Sequence, residues 1–114
     1  MTKITIYHNP QCSKSRATLA FLQERGLNPE IIEYLKTPLN VEQLKALIKK
    51  SDLSVRAAMR TNESLYAELG LATASDTQLL AAMAAHPILL NRPIVETAKG
   101  ARLARPLAAI EAVI

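Results

Sequence analysis

The chain has 114 residues, 49% hydrophobic and 21% charged, so we expect one globular domain over residues 1–114 with its own core. Its single cysteine, Cys12, excludes an internal disulfide, and no apolar stretch is long enough to cross a bilayer; we therefore expect a cytoplasmic protein without a signal peptide or a transmembrane helix. The formal charge of +4 is dispersed among acidic residues and few aromatic ones, which favours small anions over nucleic acid as partners.

The first third of the chain predicts a strand, a helix and a second strand. Residues 3–7 alternate and are rich in β-branched side chains, which is typical of a strand. Cys12 or Ser13 is expected to cap the following helix, which Gly26 ends. A second strand is predicted over residues 30–35, and the helix between the two strands favours their parallel pairing.

The middle of the chain predicts helices. Four polar residues are expected to cap them: Asn40, Ser54, Asn62 and Ser75. A glutamine follows both Asn40 and Ser75 at the third position, which is the spacing of a capping box. Leu79, Leu80 and Met83 recur at helical spacing and are predicted to face the core.

The end of the chain returns to strands and a short helix. Strands are predicted over residues 94–97 and 101–104, with a hairpin turn at 98–100 between them. Pro106 is expected at the first position of the closing helix. The order βαβ, further helices, ββα indicates an α/β fold of the thioredoxin-like, glutaredoxin type, in which residues 41–86 form a helical insert between the two halves.

Cys12 lies where a thiol is readily ionised. At a helix N-terminus, free backbone N–H groups and the positive end of the helix dipole lower a cysteine pKa. Lys14 and Arg16 add positive charge, and His8 lies across the loop. Ser15 is able to donate a hydrogen bond to the sulfur. The alternatives are an inert core cysteine and a neutral loop histidine bonded to the backbone, but the polar residues around Cys12 favour the reactive thiolate.

The spacing around Cys12 excludes two familiar thiol motifs. Ser15 stands where a C-x-x-C dithiol site would need its second cysteine. A C-x5-R phosphatase loop would need arginine at Thr18, whereas Arg16 gives only C-x3-R. One cysteine and two separate histidines do not have metal-ligand spacing. We therefore expect a monothiol site without metal or bound cofactor, whose reductant comes from another molecule.

Five segments of the chain occur together, and in this order, in one known family. They are YHNP at residues 7–10, CSKSR at 12–16, VRAAMR at 55–60, HPILLNRPIV at 86–95 and RLARP at 102–106. Because these segments extend over essentially the whole chain, the sequence resembles the glutaredoxin-coupled arsenate reductase family, which has a thioredoxin-like fold.

The resemblance implies roles for seven residues. Cys12 matches the catalytic nucleophile of the family. Three residues match its oxyanion-handling arginines: Arg60, Arg92 and Arg105. His8 and Ser15 match residues that support the thiolate. Pro93 matches a proline, typically in the cis form, that faces the thiol across the fold.

The arginines differ in how far their own sequence context supports anion binding. Arg92 precedes a proline and a strand, which places it on a rigid element, whereas Arg60 and Arg105 are equally compatible with a solvated surface. Arg56 and Arg102 are predicted to be solvated surface residues. Guanidinium groups hold oxyanions through paired hydrogen bonds, and they offset the repulsion between a thiolate and an anion such as arsenate.

The resulting hypothesis is the reduction of arsenate to arsenite. Cys12 would attack arsenic, glutathione would act as co-substrate, and a glutaredoxin would supply the resolving thiol; we expect the protein to be a monomer. Two alternatives stay open at this point. A monothiol glutathione-linked oxidoreductase acting on mixed disulfides would need Cys12 but not the three arginines. A redox-related regulatory binding module is the other, although such a switch usually carries the C-x-x-C that is absent from this sequence.

Overall fold

A computed structural model describes residues 3–114 of the chain. Met1 and Thr2 lie outside the described residues. They are the first two residues of the predicted domain, at the N-terminus where no signal peptide is expected. Four strands form one mixed sheet in the order β2-β1-β3-β4. Their bounds are β1 Thr5–His8, β2 Glu30–Glu33, β3 Ile94–Thr97 and β4 Gly100–Leu103.

The pairing of the strands follows the predicted βαβ and ββα halves. β1 pairs with β2 in parallel, as expected from the helix between them. The other two pairings, of β3 with β1 and of β3 with β4, are antiparallel. β2 ends at Glu33 rather than at residue 35 because its carbonyl accepts turn hydrogen bonds from the N–H groups of Lys36 and Thr37. β4 begins one residue earlier than predicted because Gly100 pairs with Thr97 across a two-residue turn.

Helix α1, Ser13–Glu24, connects the two parallel strands and has Cys12 as its N-cap residue. Gly26 ends it, as predicted, with φ of +74°. The N–H of Gly26 donates to the carbonyl of Gln23 and that of Leu27 to the carbonyl of Leu22, which together form a Schellman motif. The helix is thus fixed at its far end, and its N-terminus holds the cysteine at the end of β1.

The central helical region, residues 41–89, separates β2 from β3. It contains α2 Val41–Lys50, α3 Ser64–Glu68 and α4 Asp76–Ala85, with 3₁₀ turns at Arg56–Ala58, Leu71–Thr73 and Pro87–Leu89. Both predicted capping boxes, at Asn40 and Ser75, are present. The Ser54 hydroxyl accepts a hydrogen bond from the N–H of Ala57. The prediction for Asn62 is wrong, because Glu63 is the residue that precedes α3.

Arg56 is not the solvated surface residue that the sequence predicted. Its guanidinium is partly buried and donates to the carbonyls of Leu71, at 3.0 Å, and Ala74, at 3.1 Å, and to the hydroxyl of Tyr66. The Tyr66 hydroxyl belongs to α3 and the two carbonyls lie between α3 and α4, so local sequence gave no sign of these acceptors. Arg56 therefore holds the central helical region together.

Two apolar clusters pack on opposite faces of the sheet because side chains alternate along each strand. Tyr7 and its antiparallel partner Ile94 belong to the cluster formed with the central helical region. Ile6 and its partner Val95 belong to the cluster beneath α1. The residues predicted as core in α4, Leu79, Leu80 and Met83, are buried in the first of these clusters.

The last segment is a 3₁₀ helix, Leu107–Ala112, rather than an α-helix. Pro106 precedes this helix as its N-cap residue instead of occupying its first position, and the N–H of Ala109 donates to the Pro106 carbonyl. The helix covers the α1 side of the sheet, where Ile110 is fully buried. Throughout residues 3–114, the helices are too short or too polar to traverse a bilayer.

A backbone bridge joins the two ends of the central helical region. Met59 and Leu90 form an isolated antiparallel pair. Beside it, the N–H of Arg60 donates to the Leu89 carbonyl and the N–H of Asn91 to the Ala58 carbonyl, each at 2.8 Å. Arg60 and Asn91, the residue before Arg92, are therefore fixed relative to each other, although most of the central helical region lies between them in sequence.

Candidate active site

Cys12 follows a tight loop at the end of β1. Its N–H donates to the carbonyl of Asn9 at 3.0 Å, and the Asn9 side chain accepts a hydrogen bond from the N–H of Gln11. The Cys12 carbonyl accepts the N–H of Arg16 as the first bond of α1. The residue is only 7% exposed. The loop therefore presents the sulfur to the free N–H groups of the helix end.

The surroundings of Cys12 favour the thiolate. Burial of the sulfur is the largest influence and raises its pKa, but the backbone N–H groups of Ser15 and Lys14 and the positive charge of Arg92 together outweigh it, so the pKa lies below its ordinary value. The charge expected from Lys14 and Arg16 is instead supplied by Arg92. Arg16 directs its guanidinium away, to the carbonyl of Pro10 at 2.8 Å.

Arg105 makes a direct side-chain contact with the sulfur, to which Arg92 also donates a hydrogen bond. Its Nη2 lies 3.6 Å from Sγ of Cys12, and its Nε donates to the backbone carbonyl of Arg92 at 2.7 Å. Arg105 follows β4, whereas Cys12 follows β1, so the pairing of both strands with β3 is what brings the two together. Sequence alone left Arg105 undecided between this site and the surface, and the structure places its guanidinium against the thiol.

Arg92 lies on a rigid segment, as expected from the proline after it. The Arg92–Pro93 peptide bond is cis, and the bond before Pro106 is cis as well. Asn91 accepts a hydrogen bond from the N–H of Arg92 through its side-chain oxygen, at 3.1 Å. No role was predicted for Asn91, although it immediately precedes the Arg-Pro pair in the sequence.

Arg60 lies beside the backbone bridge, where its N–H donates to the Leu89 carbonyl. Its side chain is 17% exposed and forms an ion pair with Glu63, with 3.3 Å between Nη2 and Oε2. Glu63 was missed in the sequence, although its spacing of three residues from Arg60 was a usable signal. An acidic group therefore lies beside one of the three arginines predicted to hold an anion.

His8 and Ser15 contact each other rather than the sulfur through their side chains. The Ser15 hydroxyl lies 2.7 Å from Nδ1 of His8 and accepts the N–H of Asn9 at 3.0 Å. Burial, the largest effect, lowers the His8 pKa; Arg16 lowers it further and Glu33 opposes this. Against an unprotonated Nδ1 the Ser15 hydroxyl is the donor, so its proton is directed to His8. The hydrogen bond predicted from this hydroxyl to Cys12 is replaced by one from the backbone N–H of Ser15.

A cleft of about 350 Å³ lies between the start of α1 and Arg105. Its lining comes from the first two turns of α1 and from the segment after β4: Lys14, Ala17, Thr18, Ala104, Arg105, Pro106 and Leu107. In the part of the chain that the structure covers, no three His, Cys, Asp or Glu side chains are grouped closely enough to hold a metal ion. Beside this cleft, Arg105 and Arg92 bring guanidinium groups to the Cys12 thiolate.

The family model described as the ArsC family matches residues 7–113. The chain belongs to the ArsC family. Among ArsC relatives, an arsenate reductase of Yersinia enterocolitica is 51% identical, the match covering 93% of this chain and 77% of that protein. An arsenate reductase of Neisseria meningitidis is 48% identical over the full length of both. A solved structure of an arsenate reductase from Vibrio cholerae superposes with a TM-score of 0.94 at 48% identity, covering 98% of each chain. The thioredoxin-like fold predicted from the sequence is thereby confirmed.

Proposed function

We propose that this chain reduces arsenate to arsenite, with the thiolate of Cys12 as the nucleophile. The observation that carries the proposal is the position of Arg105, whose Nη2 lies 3.6 Å from the sulfur. A cation at this place favours the thiolate before the substrate binds and neutralises the oxyanion afterwards. The relatives that share half of the sequence bear the name arsenate reductase.

The first chemical step joins sulfur to arsenic. The Cys12 thiolate attacks the arsenic(V) atom, a sulfur–arsenic bond forms, and one arsenate oxygen leaves as water after protonation. The oxygens that stay on arsenic carry negative charge in this step, and we assign Arg60, Arg92 and Arg105 to that charge. Guanidinium groups suit this purpose because they stay protonated and donate paired hydrogen bonds to oxyanions.

The two electrons that reduce arsenic come from outside the chain, because Cys12 is the only cysteine in the sequence. Glutathione replaces a second arsenic-bound oxygen, forming a sulfur–arsenic bond and releasing water. A glutaredoxin thiolate then attacks the glutathione sulfur, and a disulfide forms between glutaredoxin and glutathione. The bond between the glutathione sulfur and arsenic breaks, and its electron pair passes to arsenic. Hydrolysis of the Cys12–arsenic(III) bond releases arsenite and restores the thiol.

His8, Ser15 and Pro93 complete the proposed site without contacting the reacting atoms in the step above. His8 and Ser15 hold the loop that carries Cys12, through the bonds between their side chains and to Asn9. Pro93 fixes the course of the chain at Arg92. We further propose that the protein acts as a monomer in the cytoplasm, where glutathione and glutaredoxin are kept reduced.

The experiment that tests the function is arsenate-dependent oxidation of NADPH in an assay coupled through glutathione reductase, with glutathione and a glutaredoxin present. We expect turnover by the wild type, none by Cys12→Ser, and a loss of at least a hundredfold in kcat/KM for Arg92→Ala. Arg102→Ala is the matched control, because it removes an arginine that bonds to its neighbour's carbonyl outside the site. Turnover retained by Cys12→Ser would refute the scheme.

Omission of single components separates this function from the monothiol oxidoreductase. An arsenate reductase requires arsenate for every NADPH consumed, whereas the alternative enzyme would reduce a glutathione mixed disulfide without it. Activity on the mixed disulfide that is equal in the wild type and Arg92→Ala, with no activity on arsenate, would favour that alternative.

A further inference from the structure

Three buried side-chain donors lack an acceptor within residues 3–114: the hydroxyl of Tyr34, Nε of Arg60 and Nε of Arg92. Buried polar groups are nearly always hydrogen-bonded, so each such atom requires an explanation. Two of the three belong to arginines already assigned to the oxyanion. The third was not predicted as a site residue, because the sequence places Tyr34 only within the strand expected over residues 30–35.

Tyr34 stands directly after β2, and Asn9 stands directly after β1. Because β1 and β2 are parallel and in register up to His8 and Glu33, both residues lie at the same edge of the sheet, where the Cys12 loop begins. The ring of Tyr34 is 1% exposed and packs among apolar residues that include Leu44 and Met83. The apolar packing fixes the ring, so the hydroxyl has a defined position.

The charges that act on the Tyr34 hydroxyl are those of the proposed site. Burial is the largest influence and raises the pKa of Tyr34. Arg92 and Arg60 lower it, as does a hydrogen bond from the Asn9 side chain, and an ionised Cys12 raises it further. The hydroxyl therefore lies within electrostatic reach of both arginines and of the thiolate, and it keeps its proton at neutral pH. The hydroxyl oxygen accepts the bond from Asn9, so the hydroxyl proton is left without an acceptor.

We propose that the Tyr34 hydroxyl is an additional ligand of the substrate, donating a hydrogen bond to an oxygen of the tetrahedral oxyanion held by Arg60 and Arg92. The inference rests on the proposed function and extends it by one residue. The oxygens of a bound oxyanion would offer an acceptor to each of the three unpartnered donors. The oxyanion would also receive a neutral donor that, unlike a fourth guanidinium, leaves the net charge of the site unchanged.

The binding of anions is best measured in a variant that lacks the nucleophile, so that no reaction takes place. In a Cys12→Ser background, the dissociation constants for arsenate and inorganic phosphate would be measured by calorimetry, and thermal unfolding would be followed without ligand. We expect Tyr34→Phe to weaken the binding of both anions by about tenfold, the effect of losing a hydrogen bond to a charged acceptor. Its unfolding temperature without ligand should stay equal or rise, because the substitution removes an unsatisfied buried hydroxyl.

Tyr7→Phe is the matched control, because the Tyr7 hydroxyl is satisfied by Glu96 at 2.8 Å. This variant should lose stability and bind the anions normally. The inference is overturned if Tyr34→Phe binds both anions as tightly as its parent, whether or not its stability falls. The proposed function alone would be refuted if the Cys12→Ser parent bound the anions and the wild type did not turn over arsenate. If the parent bound neither anion, the proposed function and the role of Tyr34 would both be refuted.

Discussion

Nη2 of Arg105 lies 3.6 Å from Sγ of Cys12, so the one thiol of the chain is in contact with a permanent cation. The same guanidinium is anchored by the backbone carbonyl of Arg92. This relationship couples two properties that are measured separately, the ionisation of the thiol and the binding of an anion. Changing either arginine should therefore alter both.

The ionisation of Cys12 predicts the pH dependence of its alkylation. Because the pKa of the thiol is lowered, the rate of reaction with iodoacetamide should reach half its maximum at a lower pH than for a free cysteine, whose pKa is about 8.5. Arg92→Ala should move this midpoint to higher pH, since Arg92 supplies positive charge to the thiolate. Arg102→Ala should leave it in place. A midpoint that is the same in all three proteins would contradict the electrostatic argument.

The buried His8 predicts a loss of stability in acid. Its pKa is lowered in the folded state, so the unfolded chain binds the proton more readily, and the free energy of unfolding should fall as the pH drops below about 6.5. Urea unfolding at several pH values between 5 and 7.5 measures this slope, and a Cys12→Ser background removes the titration of the thiol. His8→Asn should show a shallower slope. Identical slopes in both proteins would exclude His8 as the cause.

The ion pair between Arg60 and Glu63 predicts that an acidic residue weakens the binding of the substrate. Glu63 competes with an anion for the guanidinium, so Glu63→Gln should lower the dissociation constant for arsenate about threefold, in line with a partly exposed charge interaction. Calorimetry in the Cys12→Ser background gives this constant directly. Glu111→Gln removes the same charge from an exposed pair with Arg25 and is the control. Weaker binding by Glu63→Gln would show that Glu63 chiefly orients Arg60.

The contacts of Arg56 predict a large effect on stability without a direct effect on the thiol. Arg56→Ala leaves the carbonyls of Leu71 and Ala74 without their donors and should lower the free energy of unfolding by about 3 kcal/mol. Arg25→Ala, which breaks an exposed pair, should cost at most about 1 kcal/mol. Urea denaturation compares the two variants. Equal losses would mean that the buried contacts of Arg56 contribute no more than a surface ion pair.

Elements whose signals are local were predictable from the sequence. The capping boxes at Asn40 and Ser75 and the glycine at the end of α1 depend on residues within one helical turn, and the structure has all three. Even the position of Cys12 at a helix N-terminus followed from the loop before it. These are short-range hydrogen bonds, which the order of residues largely determines.

The partners of the polar side chains in the site were not predictable in the same way. Arg56 contacts the segment between α3 and α4, and the Tyr34 hydroxyl lies beside residues that follow other strands. Both depend on how distant segments pack, which no local pattern records. The Ser15 hydroxyl was assigned to the sulfur because they are close in sequence, whereas a buried imidazole was the stronger competitor for its proton.

The bridge between Met59 and Leu90 also determines where the chain tolerates changes in length. Since the backbone bonds on either side of it fix Arg60 and Asn91, the exposed turn at Leu69 and Gly70 is free to accept extra residues without shifting Arg60 or Arg92. This turn lies outside the Leu71–Ala74 segment that Arg56 binds. Each doubling of a flexible loop adds only about 0.6 kcal/mol to the cost of closing it. A reporter domain spliced into this turn would thus be carried by a working site, which makes the central helices an insertion point for an oxyanion sensor.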